Sequence, residues 1–228
     1  MCAVIGAYIE NVNSQDLIKL ANVFRESSIR GLHATGISWI KQDKIHTHIE
    51  PIPARSFVSR FNLEQTINED GNLYLIGHCR YSTSDLEYNQ PLHNNRFSIV
   101  HNGVVSQEMP ENWESLYGYK CQTRNDSELI LHALNDALIP METFPDSSMA
   151  AIELHLTKKI CFYRNGKRPI YFTKIKNGYI ITSTADIANR SELSDPKQVK
   201  MGEMITIRGV DSLSYKIIDM KQRDLQPV

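Results

Sequence analysis

Short apolar runs separated by turn signals fill the second half of the chain, and this pattern constrains the fold most strongly. After Pro145 the runs predict five strands, at 151–156, 160–163, 170–172, 179–182 and 204–207. Asn-Gly pairs at 165–166 and 177–178 separate several of them, and Asn-Gly between apolar runs is typical of a β-hairpin. The second half is therefore expected to consist mainly of sheet.

The first half combines further strands with two amphipathic helices. Strands are predicted at 3–9, 36–40, 44–49, 73–77 and 97–100, the second and third forming a hairpin. Helical spacing predicts a helix over 14–28 capped by Ser14, and one over 126–138 in which Asn125 and Glu128 have capping-box spacing. The stretch 140–148 is interpreted as a loop. Because helices and strands are grouped rather than strictly alternating, an α+β class is favoured over a doubly wound parallel sheet.

Length and charge limit the organisation and the partners of the chain. The 228 residues suffice for one large domain and are too few for two full ones, so a single domain over 1–228 is expected. A net charge of −1 provides no electrostatic footprint for nucleic acid or an acidic membrane. No apolar run approaches about 18 residues, and the N-terminus lacks the features of a signal peptide. We expect a cytoplasmic protein without nucleic-acid or membrane partners.

The position of one cysteine sets it apart from the other three. Cys79, Cys121 and Cys161 are interpreted as free thiols that behave as small, partly buried hydrophobes, and no CxxC pair indicates a metal or redox motif. Removal of Met1 would leave Cys2 with a free α-amine, whose reference pKa of about 7.7–8.0 suits a base near neutral pH. A thiol beside its own amine is a compact nucleophile–base pair. The alternative is that a cysteine at position 2 is incidental.

The segment HNGVV at 101–105, which closes an apolar strand, offers hydrogen-bond donors for an oxyanion. Asn102 can supply a side-chain N–H and Gly103 a backbone N–H that no side chain obstructs. The alternative is a plain Asn-Gly turn. No metal-ligand pattern accompanies these residues, so no metal is expected.

Two charged residues complete a candidate site for an amino acid. Arg80 follows a strand in GHCRYST, and its guanidinium can bind a carboxylate through two parallel hydrogen bonds, unless it is simply a solvated charge. Asp126, at a helix N-terminus, can pair with an ammonium group or simply oppose the helix dipole. A thiol, two oxyanion donors, a cation and an anion together fit the α-amino acid end of glutamine, with its side-chain amide directed at Cys2.

The segments MCAVIG, RGLHATGIS, GHCRYST, HNGVV and NDSE occur in the order and approximate spacing of class II glutamine amidotransferases. The chain resembles the N-terminal-nucleophile (Ntn) glutaminase domains of glutamine phosphoribosylpyrophosphate amidotransferase and glucosamine-6-phosphate synthase. The late stretches IITSTADI and MGEMITI resemble the end of that domain, so the likeness covers residues 2–208. It implies an Ntn-hydrolase fold, a four-layer αββα sandwich with two stacked antiparallel sheets.

The resemblance also implies residue roles and an activity. Cys2 would be the nucleophile with its amine as base, and Asn102 and Gly103 would form the oxyanion hole. The other assigned residues bind substrate or support the nucleophile: Arg80 and Thr83 hold the carboxylate, Asp126 holds the ammonium, and Arg30, Gly31 and Tyr81 are supporting. The segment 80–90 would fold over bound glutamine. No cofactor is implied.

Some positions depart from the family pattern without removing any proposed catalytic group. Ala3 stands where glycine is usual, and His33 and Ala34 replace an acidic-then-small pair. Tyr81 is as in the phosphoribosyl branch.

No synthase domain is recognised in the chain, so the fate of the ammonia stays open. The resemblance implies hydrolysis of glutamine through a Cys2 thioester, with ammonia passing to an acceptor on a separate synthase subunit. One alternative is a stand-alone hydrolase of glutamine or a γ-glutamyl compound. The other is a glutamine-sensing domain without turnover.

Overall fold

The computed structural model describes residues 1–82 and 87–220. The strands within this part of the chain are β1 Ala3–Ile9, β2 Ala34–Lys41, β3 Lys44–Glu50, β4 Leu73–Arg80, β5 Leu92–His93, β6 Phe97–Val104, β7 Ser148–His155, β8 Lys159–Arg164, β9 Tyr171–Ile175, β10 Gly178–Thr182, β11 Lys197–Gln198, β12 Glu203–Gly209 and β13 Ser212–Ile217. The helices are α1 Ser14–Ser27, α2 Ala54–Arg60, α3 Trp113–Tyr117, α4 Ser127–Asn135, α5 Pro140–Thr143 and α6 Ala185–Arg190, with 3-10 turns at Leu63–Thr66 and Pro110–Asn112.

The strands form two antiparallel sheets. One has the order β11-β9-β10-β1-β4-β2-β3 and the other the order β13-β12-β8-β7-β6-β5. All pairings in both sheets are antiparallel. The predicted α+β class is confirmed.

Three apolar clusters separate four layers. The cluster between the two sheets contains Val4, Val100 and Ile152, contributed by β1, β6 and β7. A second cluster joins the outer face of the seven-stranded sheet to α1, α2 and α6, and a third joins the outer face of the six-stranded sheet to α4. The order is therefore helices, sheet, sheet, helices, which confirms the αββα sandwich. In the described ranges no helix is long and apolar enough to cross a membrane.

The two long predicted helices are present, but their caps differ from the predictions. The cap of α1 is Asn13 rather than Ser14, because the Asn13 side chain accepts from the backbone N–H groups of Gln15 and Asp16. The Asp16 side chain accepts in return from the Asn13 N–H, which completes a capping box one residue earlier.

At α4 the predicted capping box is wrong. Asn125 Oδ1 accepts from the N–H of Ser127, whereas the Glu128 carboxylate accepts from the N–H groups of Gln122 and Thr123. The helix ends at Asn135 rather than 138, because Ala137 adopts a φ of 57° that no longer fits a helix.

One of the two predicted Asn-Gly hairpins forms and the other does not. The pair at 177–178 joins β9 to β10 within one sheet, as predicted. The pair at 165–166 instead joins β8 to β9, which belong to different sheets, so the chain crosses the sandwich there. The predicted loop at 140–148 begins with the short helix α5.

Candidate active site

Strands β1 and β4 bring Cys2 and Arg80 to the same end of the sandwich. In their antiparallel pairing Ala3 lies opposite Cys79, so that Cys2 comes level with Arg80. Side chains alternate between the faces of a strand, and Val4 lies in the cluster between the sheets. Cys2 therefore faces the layer between the sheets.

The three predicted supporting residues all lie at Cys2. Arg30 Nε donates to the Cys2 carbonyl at 3.1 Å. A Cβ on Gly31 would overlap the backbone of Cys79, so glycine is needed for this loop to pass so close to β4. Tyr81 contributes its carbonyl, 3.9 Å from Cys2 Sγ, while its ring packs against His33. The tyrosine therefore supports Cys2 through its main chain.

A second arginine, which sequence reasoning missed, reaches the N-terminus from the other side. Arg168 Nη1 lies 3.2 Å from Met1 Sδ, and Arg30 Nη2 lies 3.7 Å from the same sulfur. Burial and the charge of Arg168 lower the pKa of the Arg30 guanidinium. Arg168 follows the turn at 165–166, and only the crossing between sheets, rather than the predicted hairpin, brings it here.

Asn102 places an unpartnered donor in the layer between the sheets. It pairs across the ladder with Ala150, which belongs to the inter-sheet cluster, so both side chains face that layer. Asn102 is buried, and its Nδ2 has no hydrogen-bond partner among the described residues. A buried N–H without a partner costs about 1–3 kcal/mol, so its presence calls for an explanation other than stability.

Gly103 supplies a second donor, its backbone N–H. Its ladder partner Met149 donates its own N–H to Asn165 Oδ1 at 2.7 Å and accepts from the Asn165 N–H at 3.0 Å. Both main-chain groups of Met149 thus point away from β6, and the pair Gly103–Met149 exchanges no hydrogen bonds. The Gly103 N–H lies on the same edge of β6 as that of His101, which donates to Gln90. On that edge β6 pairs with the short strand β5 only at Ser98 and Ile99, so β5 does not extend to Gly103.

We expect Gly103→Ala to destabilise the protein by about 3 kcal/mol or more. Gly103 has a φ of 150°, and an added Cβ would overlap the carbonyl of Ser148 in the neighbouring strand. Gly118→Ala is the matched control: Gly118 also has a positive φ, 74°, but no atom lies within 4 Å of its added Cβ. Chemical denaturation measures both, and the control should cost about 1–2 kcal/mol. Equal losses would contradict the steric argument.

Hydrogen bonds to Tyr88 and Asn89 connect Arg80 to the start of α4. Arg80 Nη1 donates to the Tyr88 carbonyl at 2.7 Å and to Asn89 Oδ1 at 2.8 Å. Asn125 Nδ2 donates to the same Tyr88 carbonyl at 3.1 Å. Arg80 is therefore a partly buried, bonded group rather than a solvated charge.

Asp126 ties α4 to the end of β6. Its Oδ2 accepts from the N–H of Val105 at 2.6 Å, two residues beyond Gly103, and it makes no side-chain cap bond to its own helix. Thr83, the remaining predicted substrate residue, lies outside the described residues, as does part of the segment 80–90.

A buried polar network that the sequence did not reveal holds this segment against β6. Gln90 Oε1 accepts from the His101 N–H at 2.6 Å, and Gln90 Nε2 donates to Ser127 Oγ at 3.0 Å. Ser127 Oγ also lies 3.1 Å from His101 Nδ1, and burial lowers the pKa of His101. His101 Nε2 lies 3.2 Å from the Ser148 carbonyl, so the ring packs on the α4 side of β6, opposite to the face that carries Asn102. In the sequence, only the HNGVV motif, which contains His101, pointed to this network.

Comparisons in sequence give two curated relatives, and no family model matches the chain. The glutamine–fructose-6-phosphate aminotransferase [isomerizing] of Bacillus licheniformis is 23% identical over 201 residues, covering 81% of this chain and 32% of the relative. The protein of the same name from Bartonella henselae is 26% identical over 158 residues, covering 64% of this chain and 24% of the relative. The chain thus spans a third or less of the length of these relatives.

Comparisons of structure reach almost the whole chain. Glutamine phosphoribosylpyrophosphate amidotransferase from B. subtilis, complexed with ADP and GMP, has a TM-score of 0.73 at 18% identity, covering 98% of this chain and 50% of that one. A glutamine aminotransferase class-II domain protein from Silicibacter pomeroyi has a TM-score of 0.55 at 12% identity, covering 95% and 99%. At these identities the likeness establishes the fold.

Proposed function

We propose that this chain is a class II glutamine amidotransferase domain that hydrolyses the side-chain amide of glutamine through a thioester on Cys2, in line with its curated relatives and its fold. One observation carries the proposal. Asn102 Nδ2 is buried without a hydrogen-bond partner among the described residues and faces the layer between the sheets, as Cys2 does, and the neighbouring Gly103 N–H points away from β7. Two such donors placed beside a thiol would stabilise an oxyanion.

The chemistry follows from these groups. With Met1 removed, the α-amine of Cys2 takes the thiol proton, and Sγ attacks the side-chain amide carbon of glutamine. Negative charge forms on the amide oxygen, where Asn102 and Gly103 donate to it. The C–N bond then breaks, and ammonia leaves with the proton that the amine held. Water attacks the thioester, the amine removes the water's proton, and glutamate and the free thiol are regenerated.

The surrounding charges suit this sequence of steps. The Arg30 guanidinium holds the Cys2 main chain through its carbonyl, and Arg168 reaches the same N-terminus. Arg80 Nη1 donates to Tyr88 and Asn89 of the protein itself, and we assign the remaining N–H groups of Arg80 to the substrate carboxylate. Asp126 Oδ2 accepts from the N–H of Val105, and we assign the other carboxylate oxygen, Oδ1, to the substrate ammonium. Thr83 joins the carboxylate site by resemblance.

We further propose that residues 1–228 act as one glutaminase unit and that the ammonia passes to an acceptor on a separate synthase subunit. The matched curated relatives are named as aminotransferases, and this chain corresponds to about a third or a quarter of their length. Hydrolysis of free glutamine or a γ-glutamyl compound without a partner is the second candidate. A glutamine sensor without turnover is disfavoured, because it gives no role to the buried, unpartnered donor of Asn102.

Incubation of the native chain with glutamine tests the proposal. We expect glutamate and ammonia in equal amounts, with much slower release from asparagine, whose side chain is one methylene shorter. The intact mass of the active protein should lack one methionine residue. Protein that lacks Met1 and binds glutamine in calorimetry without releasing glutamate would instead support the sensor.

A further inference from the structure

A second cluster of reactive side chains lies outside the catalytic site, where α4 meets the segment before it. The Cys121 thiol, the Glu128 carboxylate and the His132 ring each offer a ligand atom, and these atoms lie within 4.8 Å of one another. Glu128 and His132 are four residues apart on α4 and so share one face of the helix. None of the three has a role in the proposed glutamine chemistry.

Neighbouring groups hold two of these side chains in fixed orientations. Glu128 Oε2 accepts from the N–H and the hydroxyl of Thr123 at 2.7 and 2.6 Å, and Oε1 accepts from the Gln122 N–H at 2.7 Å, so that Oε1 retains a further lone pair. The His132 ring stacks on Tyr119 with centroids 5.1 Å apart and planes 9° from parallel. Groups that orient the ligands in this way typically surround metal sites in proteins.

The His132 ring is left with a nitrogen that the protein does not satisfy. Its Nε2 is buried and has no hydrogen-bond partner in the described part of the chain. The nearest carboxylate oxygen, Glu128 Oε1, is 3.7 Å away, too far for a hydrogen bond. That separation does match two ligands of one zinc ion, since tetrahedral bonds of about 2.0–2.3 Å place ligand atoms about 3.3–3.8 Å apart.

We propose that Cys121, Glu128 and His132 bind a divalent transition-metal ion, with zinc the best match. Thiolate, imidazole and carboxylate together form a zinc donor set, and the thiolate disfavours magnesium and calcium. On binding, the Cys121 thiol gives its proton to solvent and its sulfur bonds to the metal, while a water completes four-coordination. The ligand atoms lie up to 4.8 Å apart, about 1 Å more than two ligands of one zinc ion, and rotation of the Cys121 side chain can shorten this separation. The bound ion would tie the segment 119–123 to α4, the helix that Asp126 precedes.

Cobalt titration of the full chain tests the site. A Cys2→Ala background removes the competing N-terminal thiol, and Co²⁺ reports thiolate ligation by a near-ultraviolet charge-transfer band. We expect that band together with the visible bands of four-coordinate cobalt, and displacement of both by Zn²⁺. Cys121→Ser should abolish the charge-transfer band. His132→Gln should weaken binding more than about tenfold, since even groups that only orient ligands contribute this much.

The matched control is His93→Gln, which removes an exposed histidine of β5 and should change neither the spectrum nor the affinity. Circular dichroism of each variant verifies folding. A charge-transfer band that persists in Cys121→Ser, or an affinity that His132→Gln and His93→Gln change equally, would overturn the proposal. The outcome is independent of the glutamine chemistry: the background used here lacks Cys2, and chelator-treated protein with Cys2 intact is expected to hydrolyse glutamine at its full rate.

Discussion

Replacement of Cys2 by alanine is expected to reduce glutamate release by at least about 10⁴-fold, because every covalent step of the proposed mechanism passes through its sulfur. The remaining groups would still bind glutamine and polarise its amide, so binding measured by calorimetry should change much less than turnover. The variant keeps its N-terminal amine, which separates the contribution of the thiol from that of the base. Stability should be nearly unchanged, since the only Cys2 side-chain contact within hydrogen-bonding range in the described chain is the long one, 3.9 Å, to the Tyr81 carbonyl.

Cys121→Ser, assayed in chelator, is the matched control for this prediction. Burial and the nearby Glu128 carboxylate raise the pKa of the Cys121 thiol to about 12, so it is protonated at neutral pH and a poor nucleophile. Burial also raises the pKa of Cys79 and of Cys161, which leaves Cys2 as the reactive candidate. Equal glutamate release by the native chain and by Cys2→Ala would remove Cys2 from the mechanism.

Local patterns were sufficient to predict the elements that bury one clear face. Strand β1 has the predicted bounds, and α1 ends one residue earlier than predicted, because both carry regular apolar spacing next to polar ends. Edge strand β13 was missed, since Tyr215 and Ile217 remain largely exposed and its pattern is that of a surface segment. The predicted positions of Cys2, Arg30, Gly31 and Tyr81 around one point came from the ordered motifs rather than from periodicity.

Errors arose where a residue's partner lies far away in sequence. Asn165 looks like a hairpin residue, but its amide donates to the Ser147 carbonyl and its Oδ1 accepts from Met149, so it bridges to β7. That bridge turns Met149 away from Gly103, and the crossing that follows carries Arg168 to the N-terminus. No local pattern contains this information, because the choice between turn and crossing depends on which sheet each strand joins.

The second large effect is expected at Asn102. We predict that Asn102→Ala lowers turnover of glutamine by about 10²–10³-fold, the usual loss when one oxyanion donor is removed. Its stability should stay within about 1 kcal/mol of the native protein or rise, because the buried Nδ2 makes no hydrogen bond among the described residues and its removal also removes a desolvation cost. Steady-state kinetics and thermal unfolding of the same preparation measure the two effects.

Asn68→Ala is the matched control, because Asn68 is a buried asparagine near the opposite end of β4 from Arg80. Its Oδ1 accepts from the N–H groups of Asp70 and Asn72, so its loss should cost about 1–3 kcal/mol of stability and leave turnover unchanged where the protein is folded. Asn102→Ala is thus expected to lose turnover and keep stability, whereas Asn68→Ala is expected to lose stability and keep turnover. If Asn102→Ala instead unfolds readily and keeps its turnover, the amide is a structural group and the oxyanion must be held by Gly103 alone. Loss of turnover at unchanged stability would instead identify the partner of this amide as the charge that forms on the substrate oxygen during the reaction.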